Sequence, residues 1–176
     1  RPTIAADFAA STAATQATLL AFFGAFGLSQ IVYGPVSDML GRRPPLFFGL
    51  GLFTAATVGC MLAPSIGWLI AARVVQGLAA ASVMVMPRAI IRDRYTGIEA
   101  TRMMALVMLV LSVGPMLAPL IGSLLMIPFG WRAVFAAVAM VAVAALVLVW
   151  RTLPETHAPE ARVPIRITAM LSGFGI

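Results

Sequence analysis

The sequence predicts an all-α membrane protein with five transmembrane helices. Hydrophobic residues make up 61% of the chain, charged residues 10%, and the mean hydropathy is +1.02; soluble domains carry about 25% charged residues. The apolar residues form unbroken runs of about 20, which is long enough to cross a bilayer core of about 30 Å. Backbone amides must be paired inside lipid, and barrel strands would alternate in polarity, so unbroken runs indicate helices.

Polar stretches divide the apolar runs. The first run follows a polar segment, Arg1 to Thr12, and its Gly24 and Gly27 are expected to let another helix approach closely. A basic loop is predicted from Arg88 to Arg102, and a short turn at Pro128 to Gly130. The predicted spans are residues 14–33, 46–62, 68–87, 103–127 and 133–150.

The arginines predict how the helices are oriented. All twelve basic residues are Arg, and most lie at the ends of apolar runs, a pattern that orients a membrane protein and argues against nucleic-acid binding. Arg1 and Arg132 fall on one side, and the Arg-richer side is predicted to be cytoplasmic. That side holds Arg42, Arg43, Arg88, Arg92, Arg94, Arg102, Arg151, Arg162 and Arg166.

The order of the spans predicts a piece of a larger protein. Residues 1–151 are expected to form a partial transmembrane bundle that begins outside the membrane. Residues 152–176 are polar and proline-broken at first, then weakly amphipathic, and are expected to form a cytoplasmic linker with a short surface helix. An odd number of spans after an exterior polar segment suggests that a span precedes this part, and the linker after Trp150 suggests that more of the protein follows it.

The stretch from Gly34 to Leu46, G-P-V-S-D-M-L-G-R-R-P-P-L, predicts a tight loop between the first two spans. Gly34 and Gly41 are expected to permit close backbone approach, and Asp38 is expected near the start of the next helix, where its charge suits the helix dipole. Arg42 and Arg43 can pair with Asp38 or Asp93. Composition alone is also compatible with a turn whose arginines only set the topology.

Three ordered motifs resemble those of the major facilitator superfamily. The spacing G-x-x-x-D-x-x-G-R-R resembles its loop signature between the second and third helices. Residues 69–77 resemble its fourth-helix motif, with Arg73 as the intramembrane arginine followed by Gln76-Gly77. Residues 112–122 resemble its fifth-helix antiporter motif. Residues 2–8, 15–16, 92–95 and 154–156 look like the Bcr/CflA, or bicyclomycin resistance, branch of drug:proton antiporters.

The resemblance implies that these are helices two to six of a twelve-helix transporter, in its N-terminal six-helix bundle. Helix one and the second bundle would lie outside this chain. The implied activity is proton-coupled export of drugs by alternating access in a bacterial inner membrane. Its partners would be a small-molecule drug, protons and lipid, and its energy source the proton gradient, with no cofactor and no metal. A metabolite exporter and a non-transporting assembly subunit remain alternatives.

Arg73 interrupts the third apolar run and is the strongest single candidate. A guanidinium inside a span costs about 2.5 to 3.5 kcal/mol, so it must face a cavity or a partner. The resemblance implies a role for Arg73 and Gln76 in proton coupling, in which the fixed charge lowers the pKa of a nearby carboxylate. No carboxylate lies within the predicted spans. The other interpretation is an arginine packed against backbone carbonyls for structure.

The fourth span carries Gly114, Pro115, Pro119 and Gly122. The prolines each remove a backbone donor and are expected to bend the helix, and the glycines to admit another helix. The resemblance implies that this helix lines the seam between two bundles and limits proton leak. Met39 departs from the family's loop motif, which would weaken the charge network of the loop. Ala118 and Ser123 depart from the antiporter motif, which would loosen packing at the seam.

Substrate contacts and enzyme chemistry have weaker signals. Polar or soft residues in the spans, which could touch a drug but are as easily packing residues, include Gln16, Gln30, Tyr33 and Met108. Cys60 is expected to pack as a small apolar residue, and no thiolate metal site is available from one cysteine. An intramembrane enzyme is disfavoured because the one histidine, His157, lies outside the spans and no catalytic residues are paired.

Overall fold

The computed structural model describes residues 4–153, and these residues are helical apart from short connections. The helices are α1 (Ile4–Asp7), α2 (Thr12–Leu40), α3 (Arg43–Met61), α4 (Ile66–Arg94), α5 (Gly97–Phe129) and α6 (Trp131–Thr152). Helices α2 to α6 are each long and apolar enough to cross a membrane, which confirms the all-α membrane fold. The predicted surface helix of the linker, together with Arg162, Arg166 and His157, lies outside the described residues.

The predicted loop at Gly34 to Leu46 is largely helical. Helix α2 continues through Pro35 to Leu40, and Gly41 and Arg42 alone separate it from α3. Gly41 has a φ of 92°, a backbone conformation that favours glycine and that allows the immediate reversal. The prediction was wrong because polar residues mark where a helix leaves the lipid, and a helix can continue beyond that point.

Two of the other connections are also shorter than predicted. Helix α4 continues through Pro87 to Arg94, so the predicted basic loop shrinks to Tyr95 and Thr96 before α5 begins at Gly97. Helix α5 likewise runs through Pro128, leaving Gly130 as the link to α6. Arginine-rich helix ends therefore replace the predicted loop.

Helix α4 lies at the centre of the packing. Its most extensive contact is with α2, followed by α3, which also packs on α6. Helix α5 touches α4 and α6 less extensively, and none of its residues is buried by the described part of the chain. The fold is therefore a well-packed group of α2, α3, α4 and α6 with α5 along one side.

Gly77 of α4 sets the close approach between α2 and α4. A Cβ atom at position 77 would overlap the carbonyl oxygen of Phe22 and lie 3.1 Å from the Cβ of Ala25. The sequence pointed instead to Gly24 and Gly27, but a Cβ at either would meet nothing within 4 Å in the described chain. No described helix approaches either glycine, so their role in helix packing stays a prediction for parts of the protein outside residues 4–153.

Aromatic and charged residues join α1 to α6 at the end of the bundle opposite the Gly41 turn. The indole Nε1 of Trp131 and the guanidinium NH1 of Arg132 both donate to Asp7 Oδ2, each at 2.8 Å. Trp131 is 3% exposed and packs in a core with Cys60, Ala63, Leu69 and Phe135. This end is therefore held by an ion pair above an apolar core.

We predict that Gly77→Ala destabilises the protein by about 1 to 3 kcal/mol, because the new methyl group overlaps backbone that cannot rotate away. Gly24→Ala, in the partner helix, is the matched control, since its methyl group meets nothing within 4 Å. Thermal unfolding of the full-length protein in detergent measures both. Equal melting temperatures for the two variants would contradict the close approach at Gly77.

Candidate functional site

Arg73 begins a buried chain of hydrogen bonds between α4 and α3. Its NH1 donates to Gln76 Oε1 at 3.0 Å, one helical turn along α4. Gln76 Nε2 donates in turn to Thr57 Oγ1 of α3 at 2.8 Å, and Thr57 Oγ1 donates to the carbonyl of Phe53 at 2.7 Å. Gln76 is 2% exposed and Thr57 is fully buried. The amide of Gln76 is therefore fixed in orientation, with its oxygen toward the guanidinium.

Two aromatic rings enclose the Arg73 guanidinium. Its carbon Cζ lies 5.4 Å from the ring centroid of Phe22 on α2 and 5.0 Å from that of Phe135 on α6. The negative faces of aromatic rings attract cations, and the attraction strengthens away from water. Among residues 4–153, however, Arg73 has no ion pair, and its buried Nε has no hydrogen-bond partner. Within residues 4–153, the Arg73 guanidinium is therefore held by neutral groups, and it can still bind an anionic partner.

Sequence reasoning found Arg73 and Gln76 but missed Thr57 and the two rings. Thr57 lies alone in an apolar run, and a lone threonine has no signature that separates it from one that bonds its own helix. Cys60 is buried as expected, and its Sγ lies 3.9 Å from Gln76 Oε1 as a weak donor. Thr57 and Cys60 are three residues apart, so both face Gln76 from one side of α3.

Arg42 forms the second polar centre, at the end of the bundle where α2 meets α3. Its side chain is 5% exposed, and its Nε donates to Asp93 Oδ2 of α4 at 2.7 Å. Its NH1 donates to Asp38 Oδ1 at 2.6 Å and to Ser37 Oγ at 2.5 Å. Burial lowers the pKa of Arg42, but its hydrogen bonds and charge interactions with Asp93 and Asp38 outweigh burial and raise it. Arg42 is thus a permanent cation that ties the α2–α3 turn to α4.

The structure corrects several details of this loop. Asp38 lies in the last turn of α2, not near the start of α3, so Arg42 and not a helix dipole stabilises its charge. Arg43 stacks over Phe47 at 5.3 Å. A Cβ at Gly34 would meet nothing within 4 Å in the described chain, so only Gly41 needs to be glycine for its backbone.

Gly114, Pro115, Pro119 and Gly122 all lie in α5, which continues through both prolines. Neither glycine is approached by a described helix, because an added Cβ at either meets nothing within 4 Å. Both instead line an apolar cavity of about 770 Å³ between α5 and the other four long helices. Its walls also include Phe22, Phe26 and Met84.

The weak substrate candidates do not converge on this cavity. Gln16 and Met108 are exposed, Gln30 is half-buried, and Tyr33 faces Ser82 on α4. None of the four lines the cavity, so a role in substrate binding stays a prediction. No cluster of three or more potential metal ligands occurs in residues 4–153.

The sequence model of the Major Facilitator Superfamily matches residues 1–172 of this chain. The chain belongs to the major facilitator superfamily. Relatives include an uncharacterized MFS-type transporter YdgK of Bacillus subtilis, 36% identical over 99% of this chain and 44% of the relative. The resemblance to the bicyclomycin resistance branch is confirmed by a bicyclomycin resistance protein homolog of Haemophilus influenzae, 32% identical over 97% of this chain and 43% of the relative.

Multidrug resistance protein D of Escherichia coli is 33% identical over 98% of this chain and 44% of its own length. This superfamily member therefore spans less than half the length of these relatives. Its two polar centres lie in the segments whose motifs first indicated the family, one at the Gly41 turn and one inside α4.

We predict that Asp93→Asn destabilises this superfamily member by about 2 kcal/mol, whereas Asp38→Asn costs less than about 1 kcal/mol. Asp93 joins two helices and its side chain is 18% exposed, while Asp38 pairs locally with Arg42 and is 48% exposed. The midpoint of thermal unfolding, measured on full-length variants in the same detergent, compares the two. A larger loss for Asp38→Asn would overturn this ranking.

Proposed function

We propose that this chain is part of a proton-coupled drug exporter that works by alternating access. The observation that carries the proposal is the half-buried Arg73 of a transmembrane helix, whose guanidinium is contacted by neutral groups, and by no carboxylate, within residues 4–153. The names of the relatives, which refer to bicyclomycin and multidrug resistance, support drugs as the cargo. The chain carries no enzyme activity in this account, and the proton gradient supplies the energy without a cofactor.

Arg73 provides a fixed positive charge for coupling. A carboxylate from a part of the protein outside residues 4–153 would pair with it when ionised and leave it when protonated, because a positive neighbour lowers the pKa of a carboxyl group. The aromatic rings and Gln76 keep the guanidinium in one place throughout this cycle. Release of the proton and binding of the drug can then alternate at one midplane site.

The Arg42 centre stabilises one of the two conformations. It joins the α2–α3 turn to Asp93 of α4, the helix that also carries Arg73. Positions 73 and 93 are separated by about 30 Å of continuous helix, so a shift of α4 changes both centres. Breaking the Arg42–Asp93 contact would therefore accompany opening at this end, which we assign to the cytoplasmic side of a bacterial inner membrane.

Helix α5 is assigned to the seam with a second bundle. None of its residues is buried by the described chain, and its large apolar side chains are broadly exposed. The apolar cavity beside it is suited to a further transmembrane helix of the same protein, since its walls offer almost no polar partners. Residues 1–151 would then be a partial N-terminal bundle and residues 152–176 a cytoplasmic linker.

We predict that Arg73→Ala in the full-length protein abolishes resistance that depends on the proton gradient. Cells expressing the protein are tested for export of cationic and neutral antibiotics, with and without an uncoupler. Arg151→Ala removes an exposed arginine at the end of α6 and serves as the control. Drug exchange without a gradient separates a coupling role of Arg73 from a structural role. If Arg73→Ala loses gradient-driven export but retains exchange, the protein is intact and the coupling role is supported.

Unchanged gradient-driven export by Arg73→Ala would refute the coupling role. If no antibiotic is exported by a correctly inserted wild-type protein, the assignment moves to a metabolite exporter. A non-transporting subunit is favoured only if neither drugs nor metabolites move.

We predict that Gly114→Val and Pro115→Ala increase proton leak or reduce transport, because both alter the α5 surface assigned to the seam. Proteoliposomes of the full-length protein with a pH-sensitive dye inside report the leak rate. Leu148→Ala, at an exposed position of α6 that does not line the cavity, is the control. Wild-type leak and transport in both α5 variants would rule out the seam.

A further inference from the structure

A polar pocket of about 320 Å³ opens beside the Arg42 centre, between α2, α4 and the first turns of α5. Three guanidinium groups line it, those of Arg42, Arg88 and Arg92, together with the carboxylate of Asp38. Arg88 and Arg92 lie four residues apart on α4, so they share one face of that helix. The pocket concentrates more positive than negative charge.

The carboxylates near this pocket are already engaged. Asp38 and Asp93 both accept hydrogen bonds from Arg42, at 2.6 and 2.7 Å. In the described part of the chain no ion pair reaches Arg88 or Arg92, and the buried Nε of Arg88 has no hydrogen-bond partner. Burying an unpaired donor is unfavourable, and a buried donor of a charged group more so. Two arginines therefore remain available for an anion.

The position and the walls of the pocket indicate which kind of anion it would bind. It lies at the ends of membrane-spanning helices, where lipid headgroups meet water, and Val85, Ala89 and Met104 give it an apolar side. Guanidinium groups pair with phosphate through two parallel hydrogen bonds, and basic pockets between transmembrane helices suit anionic headgroups. A small soluble anion would leave the apolar wall uncovered.

We propose that this pocket binds a phosphate group, supplied by an anionic phospholipid such as phosphatidylglycerol from the adjoining leaflet. Arg88 and Arg92 hold the phosphate oxygens, and the apolar wall receives the start of the acyl region. Arg42 lines the same pocket and also binds Asp93. A bound phospholipid therefore adds contacts where the α2–α3 turn meets α4. The proposal concerns a lipid site and does not depend on which compound the protein transports.

Native mass spectrometry of the full-length, delipidated protein tests this site. The protein is titrated separately with phosphatidylglycerol, with phosphatidylcholine and with inorganic phosphate. We expect phosphatidylglycerol to be preferred, and Arg88→Gln and Arg92→Gln each to weaken its binding about fivefold. Arg94→Gln, which removes an exposed arginine of the same helix outside the pocket, should leave the affinity unchanged.

The three titrations show whether the bound phosphate group comes from a phospholipid or from free phosphate. Saturable binding of inorganic phosphate that needs Arg88, without preference for phosphatidylglycerol, would confirm a phosphate site and overturn the lipid as its source. Equal binding of the two phospholipids without saturable binding of inorganic phosphate, or equal losses in Arg92→Gln and Arg94→Gln, would overturn the site itself. Arg88→Lys retains a charge and serves if Arg88→Gln does not fold; it should bind more phosphatidylglycerol than Arg92→Gln.

Discussion

The Arg73 charge inside α4 is the constraint on which the rest of this structure depends. Placing a guanidinium in a membrane span costs about 2.5 to 3.5 kcal/mol, and groups on four helices offset that cost. Phe22 of α2 and Phe135 of α6 face the charge, Gln76 lies one turn along α4, and Thr57 of α3 fixes the Gln76 amide. Each of the four helices in the packed group therefore contributes at least one side chain to this network.

Helix α4 connects this buried charge with the surface network. Gly77, adjacent to Gln76, lets α2 pack directly against α4, and the turn that follows α2 is joined to α4 where Arg42 binds Asp93. An apolar contact within the bundle and an ion pair at its end thus hold α2 and its turn against α4. Helix α5 makes no comparable contact in the described chain. A firm α2–α4 unit beside an exposed α5 is compatible with one half of a transporter that moves against another half.

The sequence predicted the helices well and their ends poorly. Long apolar runs and the embedded Arg73 follow directly from the properties of lipid, so five spans and a polar centre could be derived. Polar residues such as Ser37, Asp38 and Arg92 suggested loops, yet they lie in helices that extend past the apolar region. The partners of Arg73 could not be predicted, because Phe22, Thr57 and Phe135 lie on different helices and resemble ordinary packing residues in the sequence.

The central claim, that drug movement is coupled to protons, is tested most directly by a single flux measurement. The full-length protein is reconstituted in vesicles with an imposed pH gradient and a dye that reports internal pH, and a transported antibiotic is added. We predict that the antibiotic accelerates collapse of the gradient, and that protein-free vesicles respond more slowly. Antibiotic transport with no added proton flux would contradict the account.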